Sequence, residues 1–594
     1  MAVGQVRAAD QGRGASEAVS PAPRDAARNV ATAPPMAALA ALAGATLVSA
    51  CGGGGDTMPD AGRQPPADPQ ATALRPEESA VRFLNQAALG ATTSEAVSLM
   101  NSGLDFSAWL NAQFAMPARS ANGVDLNSRT AAQLAADLNI HDASQNPPRY
   151  IGSDYGLDNV LWFRLFTAPD VLRQRIVLAL SEIFVVSVRN MPIPWGQFAC
   201  LSYWDVLERH AFGTFRALLE AITLSPAMGV YLSLRGSQKS DGVGRRPDEN
   251  FAREVLQLFT IGLVKLDSSG RVVGGDTYTQ QDVTELARVF TGWDVDAAVP
   301  PDYTASTTPV YTTKPMVLNA ALHDDGAKTL SFLSLNLPAG LGGQEDLKRT
   351  LDALCAHPNV APFFARQLIQ RLVSSNPEPD HVRRVAQVFT QTGGDLKAVI
   401  RAVLLDPLAR DVLSGNAAVQ RCKLREPVLR FVHWGRLARL RSTDNRWEIG
   451  DLSGNDRLGQ GPLRSPSVFN FFRPGYVPLN SGVSADGFVA PEFQITNEST
   501  VIGYANFMLV NLAGQPGQGL VVDYSEWLPL ADDPVALVDR VVLMLSGRAM
   551  ASVSVGVIVD AVGKLPTGTV AARGNRVMMA WFLALTSPDY LVQR

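Results

Sequence analysis

From about residue 80 onward, apolar side chains recur at every third or fourth position, the spacing that keeps one face of an α-helix buried. Segments such as 80–90, 158–188, 247–262, 280–291, 345–373, 379–391 and 423–438 carry this pattern and predict a mainly α, multi-helical body. Period-two alternation is confined to 308–335, which predicts a small β insertion between helical parts.

One stretch of the pattern occurs twice. Gly213 to Pro226 (GTFRALLEAITLSP) aligns without a gap on Gly394 to Pro407 (GDLKAVIRAVLLDP). Each copy opens on Gly, carries a base three residues on, and stops at a Ser-Pro or Asp-Pro pair, as a single helix does. Two copies are too few for a solenoid. The reading is two related helical halves, 80–344 with the β insertion and 345–594.

The N-terminus follows another rule. Arg24 and Arg28 precede an uncharged apolar stretch from Met36 to Ala50, which ends in Leu47-Val48-Ser49-Ala50-Cys51. At about 15 residues it is shorter than the roughly 20 a membrane-crossing helix needs, so residues 1–50 read as a signal peptide. The small residues before Cys51 resemble the lipobox of bacterial lipoproteins, which makes Cys51 the expected lipidation site and first mature residue. Gly52 to Gly55 and the Asp/Pro-rich stretch to residue 79 read as a flexible tether. These features place the chain in the bacterial cell envelope. With Gly rather than Asp after the cysteine, a Gram-negative source implies the outer membrane, facing the periplasm or exterior.

Composition narrows the function classes. With 594 residues and 46% hydrophobic side chains the chain can build more than one core, and a net charge of -4 supplies no basic field for nucleic acid. Beyond Cys51 only Cys200, Cys355 and Cys422 remain, so a disulfide-built scaffold is excluded. They read as buried apolar thiols, with at most one intrachain pair. The signatures G-x-S-x-G, H-E-x-x-H, G-x-G-x-x-G and G-x-x-x-x-G-K are all absent.

Three segments gather polar groups. In RRPDENFAREVLQLFTIG, Pro247 reads as the first turn of a helix on which Asn250, Arg253, Glu254 and Gln257 share a polar face. Asn250 and Arg253 are then binding candidates, and Glu254 a candidate acid, base or metal ligand. HDDGAKT places His323, Asp324 and Lys328 in one loop: His323 and Asp324 with Glu254 make a candidate divalent-metal set, while Lys328 suits an anionic group. The same four residues, Glu254, His323, Asp324 and Lys328, are the catalytic candidates. The aromatic-Pro segment 466–478 and PEFQITNE add Phe471, Arg473 and Glu492 as binding candidates. Thr279, three residues before Asp282, predicts a capping box.

RFLNQAALGAT (82–92), LALSEIFVVS (178–187), RRPDENFAREVLQLFTIGL (245–263), LARVFTGW (286–293), HDDGAKTL (323–330), HPNVAPFFARQLIQRLV (357–373), KLREPVLR (423–430) and SPSVFNFFRPGYVP with APEFQITNE (465–498) together resemble a bacterial family catalogued as domain of unknown function 1800. The resemblance implies an exported helical protein whose gene neighbours one for an exported sulfatase-like protein, and it transfers no catalytic residue. The expected function is a binding or scaffold protein of the envelope acting with that sulfatase-like partner. The alternative is an extracytoplasmic metal-dependent hydrolase.

Overall fold

The computed structural model describes residues 74–120, 123–137, 152–296, 310–411 and 421–594. The segment expected to be signal peptide and most of the expected tether, with Cys51, lie outside them. The described chain is mainly α, with five two-stranded antiparallel sheets as its extended structure. No described helix is long and apolar enough to cross a membrane.

Prolines cut several of the predicted helices. The run 158–188 is two helices, Leu157–Thr167 and Val171–Ile183, parted at Pro169, which has no N–H to continue the ladder. The run 345–373 likewise divides at Pro358 into Gly343–Cys355 and Val360–Leu372. Within 423–438, Lys423–Leu424 is a strand paired to Val592–Gln593, and the helix Pro427–Leu437 begins at its proline. The first helix, Pro76–Ala87, starts inside the segment expected to be tether.

The capping box at Thr279 is present: its side chain accepts from the backbone N–H of Asp282, whose carboxylate accepts from Thr279, opening the helix Gln280–Val289. The β insertion is smaller than expected. Trp293–Asp294 pairs with Val317–Leu318, and Lys328–Leu330 with Leu335–Leu337. A further hairpin, Val264–Leu266 with Val272–Asp276, has no clear alternation to announce it, because both of its faces are largely exposed.

The echoed segments form the helices Phe215–Thr223 and Leu396–Leu405. They meet at their N-termini, where Phe215 N–H donates to Gly394 O and Leu396 N–H donates to Gly213 O, both at 2.9 Å. The reciprocal pair extends outward into a larger repeat. Val171–Ile183, Gly196–His210, Phe215–Thr223 and Pro226–Tyr231 recur in order as Val360–Leu372, Pro379–Gln391, Leu396–Leu405 and Pro407–Arg410. Phe184, Phe215, Phe364 and Phe389 pack together where the copies meet, stacked between Phe184 and Phe364 and edge-to-face around Phe215, so both contribute to one apolar core. Cys200 is buried, Cys355 and Cys422 are half-buried, and none of the three forms a disulfide among the described residues.

Candidate functional site

The HDDGAKT loop is turned inward. Lys328 is buried, and its ammonium donates to Asp346 Oδ2 at 2.6 Å, to Gly326 O at 3.0 Å and to Asp324 O. The ring of His323, also buried, lies between Thr291 O at 2.9 Å and Asp346 Oδ2 at 3.1 Å. Asp324 takes a two-pronged bond from Arg288, at 2.9 and 3.0 Å. Burial pushes the Asp346 carboxyl up, but hydrogen bonds from His323 and Lys328 outweigh it and hold the group below its ordinary range. Asp324 is lowered in the same way, with burial opposed mainly by Arg288. The loop is thus an ionic staple between the Gln280–Val289 and Gly343–Cys355 helices.

The divalent-metal set read from the sequence is not assembled. Among the described residues, no three His, Cys, Asp or Glu side chains are grouped to hold an ion. His323 and Asp324 spend their polar atoms on Asp346, Thr291 and Arg288, and Lys328 is buried behind them rather than presented to an anion.

The segment after Pro247 also departs from expectation. The α-helix spans only Asn250–Glu254 and passes into a π-helix, Val255–Thr260, whose wider turn shifts the side chains off a simple amphipathic face. Pro247 therefore precedes the helix. Asn250 is exposed, and Arg253 pairs with Glu249 at 3.1 Å and Gln280 at 3.0 Å. Glu254 is buried with Oε2 unpartnered, and burial raises its carboxyl above the ordinary range. The π-helix carries Leu258 to the wall of a separate pocket.

That pocket stands over a buried ionic cluster. Glu182 ends the Val171–Ile183 helix and Arg371 lies at the corresponding end of its repeat Val360–Leu372, where Arg371 Nη1 donates to Glu182 Oε2 at 3.0 Å. Gln460 joins two carboxylates, donating to Glu182 Oε1 at 3.0 Å and Glu426 Oε2 at 2.9 Å. Lys423 reaches Glu492 at 3.2 Å, Glu426 at 3.4 Å and Arg371 O at 2.9 Å. Arg371 also lies 4.7 Å above the Phe472 ring. Three carboxylates and the cations Arg175, Arg371 and Lys423 balance here out of water.

The two central carboxyls divide the charge unequally. Burial first, and the neighbouring Glu426 charge next, push Glu182 well up. For Glu426 burial acts upward too, but Lys423 and the bond to Glu182 prevail and bring it to about 2.

The pocket has a volume of about 270 Å³. Leu258, Val264, Leu266, Phe363, Val468 and Phe469 form apolar walls, while Glu182, Gln367, Gln370 and Arg371 supply polar groups. Leu263, Val264 and Val272 in the pocket lining remain 53%, 36% and 63% exposed. Gly262 turns the chain at this wall with φ +68°, and a Cβ there would come within 2.7 Å of the Phe363 ring. Arg366 lines the same pocket without a carboxylate partner among the described residues.

The family model described as "Protein of unknown function (DUF1800)" matches residues 82–592. The chain belongs to this family. No curated protein and no solved structure matches it significantly. Within this DUF1800 chain, segments that are far apart in sequence and carried the resemblance supply Glu182, Arg371, Lys423, Glu426, Phe472 and Glu492 to one cluster. Of the binding candidates, Glu492 belongs to it, and half-buried Phe471 lines a small cleft beside Glu182 and Gln460. Arg473 is exposed, 4.9 Å over the Phe469 ring, and Asn250 and Arg253 are not among the pocket residues. Sequence reading missed Glu182, Arg371, Lys423, Glu426 and Gln460. The available signal was a charge embedded in apolar text, as in LALSEIF and QLIQRLV.

Proposed function

We propose that this chain is a lipid-anchored binding or scaffold protein of the bacterial cell envelope, with an exported sulfatase-like protein as its partner. The observation that carries the binding role is the apolar pocket beneath an exposed aliphatic hairpin, floored by the Glu182–Arg371 pair. Leu263 and Val272 offer an apolar rim, the pocket accepts one large apolar side chain, and unpaired Arg366 favours an acidic group beside that anchor. The floor is held by charges on four chain segments and the Gln460 amide on a fifth, so the pocket is formed before a partner arrives and loses little freedom on binding.

The lipobox-like end at Cys51 supports anchoring, and the gene neighbourhood implied by the family supports the choice of partner. The test is direct titration of the full-length protein with the purified sulfatase-like neighbour. Leu263→Asp and Arg366→Glu are expected to weaken binding, the former by about 2 kcal/mol as for a buried anchor. Tight binding that ignores both substitutions, or no binding at all, would refute the reading.

A further inference from the structure

A second cleft, larger and chemically unlike the first, lies against the helix Glu498–Asn511. Its volume is about 780 Å³. Gly503 makes it: a Cβ at this helical position would lie 2.3 Å from Asn455 O and 2.9 Å from the carbonyl carbon of Asp456. Only glycine lets the 455–457 backbone seat directly on the helix, so Asp456 and Arg457 stand at the cleft beside Asn506, one turn further along.

The lining is dominated by planar polar forks. Some are already held: Gln515 donates to Asn511 Oδ1 at 2.8 Å, Asn511 donates to Phe507 O at 2.8 Å, and Arg189 donates to Ser453 Oγ at 2.6 Å. Others are uncommitted. Asp456, Arg457, Asn506 and Gln518 are exposed and make no side-chain bond among the described residues. Phe507, packed edge-on against Phe431 at 5.0 Å, and half-exposed Val510 add apolar surface between them.

We infer that this cleft binds a short uncharged glycan segment. Carboxylate, amide and guanidinium forks present paired donors or acceptors, which match adjacent hydroxyls two at a time. The half-buried Phe507 ring on the lining suits the C–H face of a pyranose. Charges of both signs line the cleft, which provides no field for a polyanion such as nucleic acid. A peptide is the less favoured occupant, since extended peptides add to a sheet edge or enter an aromatic-lined groove, and the uncommitted groups here are side-chain forks around one ring. The volume falls within the roughly 300–1,000 Å³ of small-ligand sites.

The test is calorimetric titration of the full-length protein with chitotriose, cellotriose and maltotriose, and with trialanine as the peptide control. At least one sugar is expected to bind with Kd at or below about 1 mM. Asn506→Ala and Asp456→Ala, both exposed and safe for folding, should each weaken it about tenfold, which corresponds to roughly 1.4 kcal/mol. Gly503→Ala should weaken it while the helical circular dichroism stays intact, and Leu263→Asp at the other pocket should change nothing. Failure of all three sugars at about 10 mM, binding that survives both substitutions, or binding of trialanine alone would overturn the assignment.

Discussion

At the scale of single residues, burial decides what a charged group does. His323, Asp324 and Lys328 share one short loop of the sequence, and the fold spends all three on structure. Lys328 reaches three oxygens, and only one of them, on Asp346, is charged. Asp346→Ala leaves a buried ammonium uncompensated and is expected to cost about 3–5 kcal/mol in urea denaturation. The sign of its pH dependence follows from the lowered carboxyl. Its contribution is present above the ordinary carboxylate range and is lost as pH falls through the folded pKa, so variant and parent should converge in strong acid. His323 was legible as a functional candidate because loop histidines beside carboxylates bind ions. Its partner Asp346 lies 23 residues away on another helix, and no local pattern announces it.

Glycine at contact points gives a second prediction at this scale. Gly90 has φ +93°, and a Cβ there would lie 2.2 Å from the buried His433 ring. Gly90→Ala therefore combines left-handed strain with overpacking, and a loss of about 2 kcal/mol or more is expected by thermal or chemical unfolding.

At the scale of elements, caps and stops were the legible features. Thr279 with Asp282, and the Gly-to-Pro bounds of the echoed helix, are local chemistry and appear as read. Thr279→Ala should cost about 1 kcal/mol, measured by denaturant midpoint, because one N-terminal N–H loses its acceptor. Helix length was less legible. The apolar period runs through Pro169 and Pro358 because the helices on both sides of each proline bury their apolar faces, and only the ring's missing N–H marks the break. The π-helix after Glu254 was invisible, since a widened turn is imposed by neighbours rather than by composition.

At the scale of the whole molecule, buried histidines set the response to acid. Burial, as the largest cause, lowers His381 to about 4 and His433 to about 3. A histidine depressed on folding contributes stability above its unfolded value near 6.5 and loses it as pH falls toward the folded one. The melting temperature should decline from about pH 6.5 toward 4, and His381→Gln, which keeps a donor for Val403 O, should flatten that slope. A slope unchanged by the substitution would show that other groups carry it. The envelope address is tested at the same scale: Cys51→Ala should move the protein from the membrane fraction to the soluble one, and unchanged membrane association would refute lipidation.

The sequence by itself determined the helical class, the helix caps and the echoed segment, because each is written in neighbouring residues. Only the tertiary structure decided which charges are buried together. Glu182, Arg371, Lys423, Glu426, Gln460 and Glu492 lie on segments up to 310 positions apart, and a charge set in apolar text, as at Glu182 and Arg371, does not name its distant partner. Their meaning comes from losing water jointly. That loss is a property of packing at a distance, which the period of a single helix does not record.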